Sequence, residues 1–317
     1  MTADDKQNIK IFALRYRHNI TNLLYADLHE QFKNELSILT AFALQKRVLR
    51  LSGWKPVHHD CCINSCIAYT GPFHGLESCP HCKTPRQDIH GTSRPYFTLP
   101  LSPQISSLYA ASGVTRVAMK YNAEMLESFT PSKIRDIHDA TAIRSLLGKC
   151  VEVSGIEQNH TYFQDTRDVP LGMMTDGFQC FKWARRGKSS AWPVILINYG
   201  RSMTDWMRIE NIIPFALIPG PNHPKDFNSF LFPLKVDLDA LAIGIWAYDS
   251  ISNELFLLHA YLVVAIGDMQ AVKHFSCMKG PGAMWPCRTC NIKGIWSRTQ
   301  RKYYVPLQPP DNDGPPC

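Results

Sequence analysis

Two pairs of cysteines in one short segment have the spacing of metal ligands. Cys62 and Cys66 form a C-x3-C pair, and Cys79 and Cys82 form a C-x2-C pair after the twelve residues IAYTGPFHGLES. Two such pairs are typical of a zinc ribbon or knuckle, in which four thiolates complete a closed tetrahedron. Because a closed site has no open position for catalysis, we predict a structural Zn2+ ion on these four cysteines.

Other interpretations of the cysteine segment remain open. Cys61 could replace Cys62 as a ligand, and a redox thiol pair or a chance cluster would leave the segment without metal. Nearby histidines offer alternative ligands, although each is more typical of a solvated loop: His58, His59, His74 and His81.

A second C-x2-C pair, Cys287 and Cys290, lies near the end of the chain. Two thiolates are half of a zinc site, so we predict a half-site for metal at this position. His274 and Cys277 precede the pair and offer two further ligands, but their spacing does not define a site.

Two carboxylates stand where buried strands are predicted to end. Asp176 follows the apolar run that begins at Leu171, and Asp268 ends the run AYLVVAIGD. Acids just past the ends of neighbouring strands could bridge two Mg2+ ions for phosphoryl transfer. Taken alone the signal is weak, because an Asp beside a Gly is also a common turn former.

Helices and then strands are predicted around these residues. Apolar residues at three-and-four spacing predict helices over 8–51, and a second helical stretch is predicted over 105–147. The Pro/Ser/Thr-rich residues 90–104 are typical of an extended linker. From Pro170 onward, short β-branched runs bounded by Gly or Pro predict strands. Residues 225–249 predict a helix between the last two strands, with a kink at Pro233.

Composition places few limits on function. The chain has 34 Lys and Arg against 27 Asp and Glu, an excess that favours anionic partners such as nucleic acid. The N-terminal sequence MTADDKQNIK is unlike a secretory signal peptide, and the longest apolar stretch, LFLLHAYLVVAIG, is too short to span a bilayer. We therefore expect an intracellular protein without a membrane anchor, in which thiols stay reduced.

The order of motifs along the chain resembles the CACTA (En/Spm-like) DNA transposases, and most closely those of mushroom-forming fungi. The resemblance rests on motifs spread over nearly the whole chain: HDCCINSCIAYTGPF, LESCPHCKTPR, FQDTRDVPLGMMTDGF, WPVILINYG, IPGPNHPKDFNSFLFPL, LFLLHAYLVVAIGDMQAV and MKGPGAMWPCRTCNIKGI. It implies an RNase H-like core with a DDE metal-binding triad, whose first two acids fall on Asp176 and Asp268. The sequence GDMQA departs from the Asp-aromatic-Pro-Ala form expected around the second acid.

The resemblance further implies cut-and-paste transposition of DNA in the nucleus, with catalytic Mg2+ or Mn2+. The DNA would be the transposon ends, and self-association is left open. Two segments interleave basic and aromatic residues as DNA-contacting segments do, namely 182–188 and 293–304, although a solvated loop explains each as well.

The third acid of a DDE triad has no counterpart here, because no glutamate follows Glu254 and because Asp311 and Asp313 lie in the Pro/Gly-rich segment PPDNDGPPC. Family members are also several times longer, so we interpret the chain as an N-terminal, truncated portion and expect it to be catalytically inactive. The alternative function is a non-catalytic, zinc-dependent DNA- or protein-binding module.

The predicted fold class is α+β or α/β, with an incomplete RNase H-like mixed sheet. The predicted domains are a helical region at 1–56, a zinc ribbon at 57–89, a linker and helices at 90–160, a partial DDE-type core at 161–270, and the second cysteine pair with a Pro-rich tail at 271–317.

Overall fold

A computed structural model of the chain describes residues 1–111, 113–180, 190–280, 282–287 and 290–305. The chain divides into two compact units, Met1–Lys55 and a second unit that begins at Pro56. The basic segment 182–188, which was predicted to contact DNA, lies outside the described residues.

The first unit consists of helices, as predicted. A threonine caps the start of each of its three helices: Thr2, Thr21 and Thr40. The side chain of each threonine accepts a hydrogen bond from a backbone amide in the first turn of its helix. The helices are α1 (Ala3–Arg17), α2 (Asn22–Phe32) and α3 (Ala41–Ser52). The predicted helical region 8–51 is therefore interrupted by two turns, and each new helix begins at a capping residue.

Polar contacts hold the three helices together. Asp5 of α1 forms a two-pronged ion pair with Arg47 of α3, with an Nε–Oδ1 distance of 2.6 Å. Asn8 bonds through its side chain to the backbone of Ser37 and Leu39, which precede α3. Among the described residues of this unit, the apolar side chains that are almost fully buried are Tyr25 and Leu44.

The second unit contains all the strands of the described chain, together with helices between them. Its first half comprises β1 (Val57–Cys61), β2 (Arg94–Thr98), α4 (Leu101–Ala110), α5 (Gly113–Ala118), α6 (Tyr121–Glu127), α7 (Thr141–Arg144), β3 (Cys150–Val153), β4 (Ile156–Thr161), β5 (Val169–Thr175) and β6 (Phe178–Gln179). Its second half comprises β7 (Ser190–Asn198), α8 (Met203–Trp206), β8 (Ile213–Pro219), α9 (Phe227–Ile243), β9 (Ile245–Asp249), β10 (Glu254–Leu258), β11 (Ala260–Ile266), α10 (Met269–Phe275), β12 (Ile295–Ser297) and β13 (Lys302–Tyr304).

Seven of the described strands form one mixed sheet. Its order is β1-β2-β8-β7-β5-β11, and the short β6 also pairs with β7. The pairings are antiparallel except that of β5 with β11, which is parallel. The mixed sheet predicted from the sequence is thus confirmed.

Helices α4 and α9 pack against each other and against this sheet. Helix α4 presents Tyr109, which meets Phe256 edge to face at 5.2 Å. Helix α9 is long despite Pro233 in its second turn, and Asp226 caps its first turn by accepting a bond from the Ser229 amide. Buried residues of the two helices join the sheet in one core: Leu101, Ile105, Tyr109, Phe230, Leu234 and Leu241.

Two segments differ from their sequence-based interpretation. Residues 90–104, expected to be a linker, contribute β2 and the start of α4. Tyr96 and Thr98 point into the core at alternate positions of β2, and Tyr96 donates a hydrogen bond to the Phe230 carbonyl. Pro95 obscures this period-two pattern in the sequence because proline is uncommon inside sheets.

The apolar run 255–266, expected to be one strand, is divided at His259 into β10 and β11. Strand β10 pairs with β9 in a separate two-stranded sheet, whereas β11 joins the main sheet. In the described part of the chain, no helix combines the length and the hydrophobicity needed to cross a bilayer.

Candidate functional site

The four predicted zinc ligands converge. The sulfur atoms of Cys62, Cys66, Cys79 and Cys82 all lie within 4.8 Å of one another, and those of Cys62 and Cys82 are 3.4 Å apart. Sulfurs bound to one Zn2+ at about 2.3 Å would lie roughly 3.8 Å apart, so a small contraction would complete the tetrahedron. The predicted convergence is confirmed, whereas the presence of zinc stays a prediction.

Both cysteine pairs sit in tight backbone turns of the same design. The Cys62 amide donates to the Ile67 carbonyl, and the Cys79 amide donates to the Thr84 carbonyl, each at 2.9 Å. Ser65 and Lys83 close the two turns with positive φ angles of 61° and 62°. This geometry brings each pair of thiols to one side of its turn, which is the arrangement that a zinc knuckle requires.

The pKa of Cys82 is shifted in the direction that favours the thiolate, unlike the pKa values of Cys62 and Cys66. Burial raises its pKa, but the Thr84 hydroxyl at 3.3 Å and the Asn64 amide at 3.5 Å favour the thiolate and lower the pKa to about 5. Burial raises the pKa of Cys62 and of Cys66. A divalent cation would favour thiolates at these positions as well, so this donor set fits Zn2+.

Cys61 lies outside the cluster. It is fully buried in the core of the sheet with Ala68 and Tyr96, and burial raises its pKa to about 12. A thiol that stays protonated in an apolar core is a poor metal ligand, so the alternative in which Cys61 replaces Cys62 is not supported.

The cysteine segment is bonded directly to the main sheet and to α9. The Cys66 carbonyl accepts the amides of both Lys225 and Asp226 at 2.9 Å. The Ser65 hydroxyl donates to the Pro219 carbonyl at 2.6 Å, and the Ala68 amide donates to the Ser229 hydroxyl at 2.9 Å. The predicted module at 57–89 therefore shares its backbone hydrogen bonds with the loop between β8 and α9.

The structure places Asp176 and Asp268 at the same end of two neighbouring strands. Strands β5 and β11 are parallel, and their register pairs Met174 with Ile266. Asp176 and Asp268 each lie two residues after the corresponding member of this pair, and both acids are exposed. Asp268 also caps α10, because its side chain accepts the Ala271 amide at 2.6 Å. The neighbouring placement agrees with the prediction, and the catalytic role stays a prediction.

Each acid stands beside a glycine that close packing requires. A Cβ on Gly177 would lie 2.6 Å from the Trp192 indole, and a Cβ on Gly267 would lie 2.9 Å from the Ala271 Cβ. The same added Cβ on Gly267 would lie 3.2 Å from the Thr175 carbonyl oxygen, so the two strand ends approach each other closely next to the acids. The glycines that suggested simple turns in the sequence therefore allow this close approach.

A buried pair at the opposite ends of the same strands was missed by sequence reasoning. Asp168 precedes β5, His259 precedes β11, and Asp168 Oδ1 lies 3.2 Å from His259 Nδ1. Both side chains are buried, and burial raises the pKa of Asp168. The signal available in the sequence was a histidine inside an otherwise apolar run.

Strand β11 contains one extra residue between Leu262 and Val264. Nine steps therefore separate His259 from Asp268, whereas eight separate Asp168 from Asp176. The bulge absorbs this difference, so that both ends of the strand pair are aligned.

Within the described residues, the second cysteine pair does not belong to a group of three or more potential metal ligands. The Cys290 amide lies 3.4 Å from Cys287 Sγ. Among residues whose placement is described, the cluster of four cysteines is the one group of three or more potential metal ligands. Cys277 instead lies 3.2 Å from the Asn228 amide nitrogen, so the local completion by His274 and Cys277 is not found. The half-site stays a prediction.

The basic and aromatic segment 293–304 includes the hairpin of β12 and β13. Trp296 and Tyr303 pack edge to face across it at 4.9 Å, and the Lys302 amine lies 5.0 Å from the centre of the Tyr304 ring. Part of its aromatic surface is thus used within the hairpin.

Comparison with known families gives one match. Residues 151–305 match the model of the transposase family tnp2. The matched range covers just under half of the chain and includes Asp176, Asp268, Cys287 and Cys290, whereas the four-cysteine cluster precedes it. The match supports a transposase family and hence a transposase-derived protein. No curated protein matches the chain.

Proposed function

We propose that this chain derives from a CACTA-type (En/Spm-like) DNA transposase of the fungal kind, and that Asp176 and Asp268 are two ligands of its metal site. The observation that carries the proposal is the register of β5 and β11, which brings two exposed acids to one sheet end within the family-matched range. Carboxylates are the ligands that Mg2+ and Mn2+ prefer in phosphoryl-transfer sites.

The topology of the sheet supports an RNase H-like core. Strands β5, β7 and β8 form an antiparallel meander, α9 follows, and β11 returns parallel to β5. An RNase H-like sheet has this sequence of strands, with acids on the first strand and on the strand that returns beside it. Asp176 and Asp268, which follow the ends of β5 and β11, would correspond to these two acids.

The chemistry that the metals would supply is activation of water and stabilisation of the leaving 3′-oxygen at a phosphodiester. The freed 3′-hydroxyl would then attack target DNA. Asp176 and Asp268 would bind and orient the metals from one edge of the sheet. Their rigid strand ends would fix that geometry, which matters because phosphoryl transfer depends mainly on positioning.

A third acidic ligand would complete the proposed metal site. In these 317 residues no glutamate follows Glu254, so the usual third acid cannot come from a glutamate downstream of Asp268. Two carboxylates hold metal more weakly than three, so we expect weak metal binding and little or no cleavage by this chain alone. The second candidate function is a zinc-dependent DNA- or protein-binding module without catalytic activity, and the four-cysteine cluster is the observation that favours it.

The four-cysteine cluster would hold structural Zn2+ and contribute to folding. The site of action would be the nucleus, and transposon-end DNA would be the partner, as a transposase origin implies.

Metal binding by the acids can be tested without relying on transposition. Fe2+ in place of Mg2+, with ascorbate and peroxide, generates radicals that cut the backbone near bound iron. We expect cuts near both 176 and 268 in the wild-type chain, and their loss in Asp176→Asn and in Asp268→Asn. Asp239→Asn is the matched control, since Asp239 is a partly exposed acid paired with Lys235 on α9.

Backbone cuts that persist near 176 and 268 in both Asp176→Asn and Asp268→Asn would overturn the assignment of the acids. A parallel nicking assay on element-end DNA with Mn2+ distinguishes the two candidate functions. Nicking that Asp176→Asn abolishes would establish an active nuclease, and cuts by Fe2+ without nicking would favour the non-catalytic module.

A further inference from the structure

Two adjoining clefts open beside the acid-bearing strand end. One has a volume of about 480 Å3 and lies between the start of α9 and the end of α10. The other has a volume of about 640 Å3 and lies between the cysteine segment and the residues that follow β5. Lys225 lines both clefts. The two spaces therefore meet at a single cation.

Aromatic rings join the clefts to the acid-bearing end of the sheet. The rings of His223 and His274 stack at 6.0 Å with an angle of 11° between their planes. Both meet the edge of Trp192, at 5.2 Å and 5.7 Å. The Trp192 indole in turn packs on Gly177, next to Asp176. A ligand in the larger cleft would thus lie close to the backbone that carries the first acid.

The smaller cleft is strongly basic. Three lysines line it, Lys225, Lys273 and Lys279, whereas burial lowers the pKa of His274, which favours the neutral imidazole. Asp226 is the one acid among its lining residues, and its carboxylate is already engaged by the Ser229 amide at the start of α9. The start of a helix adds partial positive charge of its own. Such a surface attracts phosphate oxygens rather than cations.

The larger cleft offers contacts suited to the rest of a nucleotide. The Phe178 side chain is 50% exposed and lies next to Gly177, so it is available to stack on a base. Asn64 and Gln179 line the same cleft and offer hydrogen-bonding groups. Phosphate-binding and base-stacking surfaces in succession are typical of proteins that bind a nucleic-acid strand.

We propose that the two clefts form one track for the sugar-phosphate backbone of a DNA strand, which passes Asp176 and is centred on Lys225. The choice of DNA rests on the proposed transposase origin. The track deepens that proposal by assigning the DNA contact to residues that neither of the basic segments at 182–188 and 293–304 contains.

Lys225 links this track to the cysteine cluster. Its amide and that of Asp226 both donate to the Cys66 carbonyl. The turn that holds the proposed zinc ligands therefore fixes the backbone from which the central lysine projects. In this arrangement the cysteine cluster acts as a positioning element for DNA binding, although it has no open position of its own.

The test compares a variant that lacks two lysines of the track with a variant that lacks two lysines elsewhere. The test variant is Lys225→Ala with Lys279→Ala, and the control is Lys149→Ala with Lys235→Ala. All four lysines are exposed, and the control pair lies outside both clefts. Binding of a labelled duplex with a single-stranded end is followed by fluorescence anisotropy at several salt concentrations, without Mg2+ or Mn2+.

We expect the track variant to bind roughly tenfold more weakly near 0.1 M salt, and its plot of log affinity against log salt to be shallower by about 1.8. The control should retain the wild-type slope. Equal behaviour of the two variants would overturn the track, and so would a wild-type chain that does not bind DNA.

The outcome is independent of the proposed catalysis. Asp176→Asn with Asp268→Asn removes the proposed metal ligands but leaves the lysines in place, so under the track proposal it does not bind DNA more weakly than the wild-type chain. A chain that never nicks DNA but loses affinity in the track variant would support the track and favour the non-catalytic module. Urea unfolding of each variant verifies that the fold is retained.

Discussion

At the scale of single residues, two adjacent cysteines have different surroundings. Cys61 ends β1 with its side chain in the core of the sheet, and Cys62 lies in the four-cysteine cluster. Successive residues of a strand point to opposite faces, which separates the two thiols. Burial raises the pKa of Cys61 to about 12, so this thiol stays protonated at neutral pH.

The two kinds of thiol should respond differently to substitution. We expect Cys66→Ala to lose bound zinc, because three thiolates leave the tetrahedron open. Cys61→Ala should keep about one zinc per chain and lose roughly 1–2 kcal/mol of stability from the cavity it creates. Elemental analysis of the purified chains and urea unfolding measure the two effects. Equal zinc content in both variants would refute the assignment of ligands.

At the scale of elements, sequence patterns predicted where strands lie in the chain better than which strands pair with each other. The runs after Pro170 are strands as expected, because β-branched residues between Gly and Pro favour them. The division at His259 was not predictable from apolar content, since both β10 and β11 are apolar. It depends on a partner ninety-one positions away, Asp168, which lies beside His259 in the fold.

The Asp168–His259 pair should stabilise the parallel strands that carry the acids. We expect Asp168→Ala to lower the free energy of unfolding by about 3 kcal/mol, because it leaves a buried imidazole without its partner. Adding His259→Ala should cost less than the sum of the two single changes. Asp239→Ala, which removes a partly exposed ion pair, should cost about 0.5 kcal/mol. Additive effects in urea unfolding would contradict a coupled pair.

At the scale of the whole molecule, the cysteine segment and the sheet are parts of one unit. Cysteine spacing was enough to predict the cluster, because ligand spacing within a short segment is a local property. The attachment of the cluster to the core was not predictable, since it uses backbone groups: the Cys66 carbonyl accepts amides from Lys225 and Asp226. Backbone acceptors leave no residue-type signal in a sequence. The linker interpretation of 90–104 had another cause, because Pro95 obscures the alternation of buried and exposed residues in β2.

Removal of the metal should therefore weaken backbone hydrogen bonds outside the cysteine cluster as well. With a zinc chelator in reducing buffer, we expect faster amide exchange in 57–98 and also in 219–229, because the amides of Lys225 and Asp226 depend on the knuckle for their acceptor. Residues 1–55, which form a separate unit, should exchange as before and provide the internal control. Hydrogen exchange resolved by mass spectrometry measures all three regions in one sample. Faster exchange confined to 62–82 would show that the loop before α9 holds its position without the metal, and would separate the cysteine cluster from the DNA track.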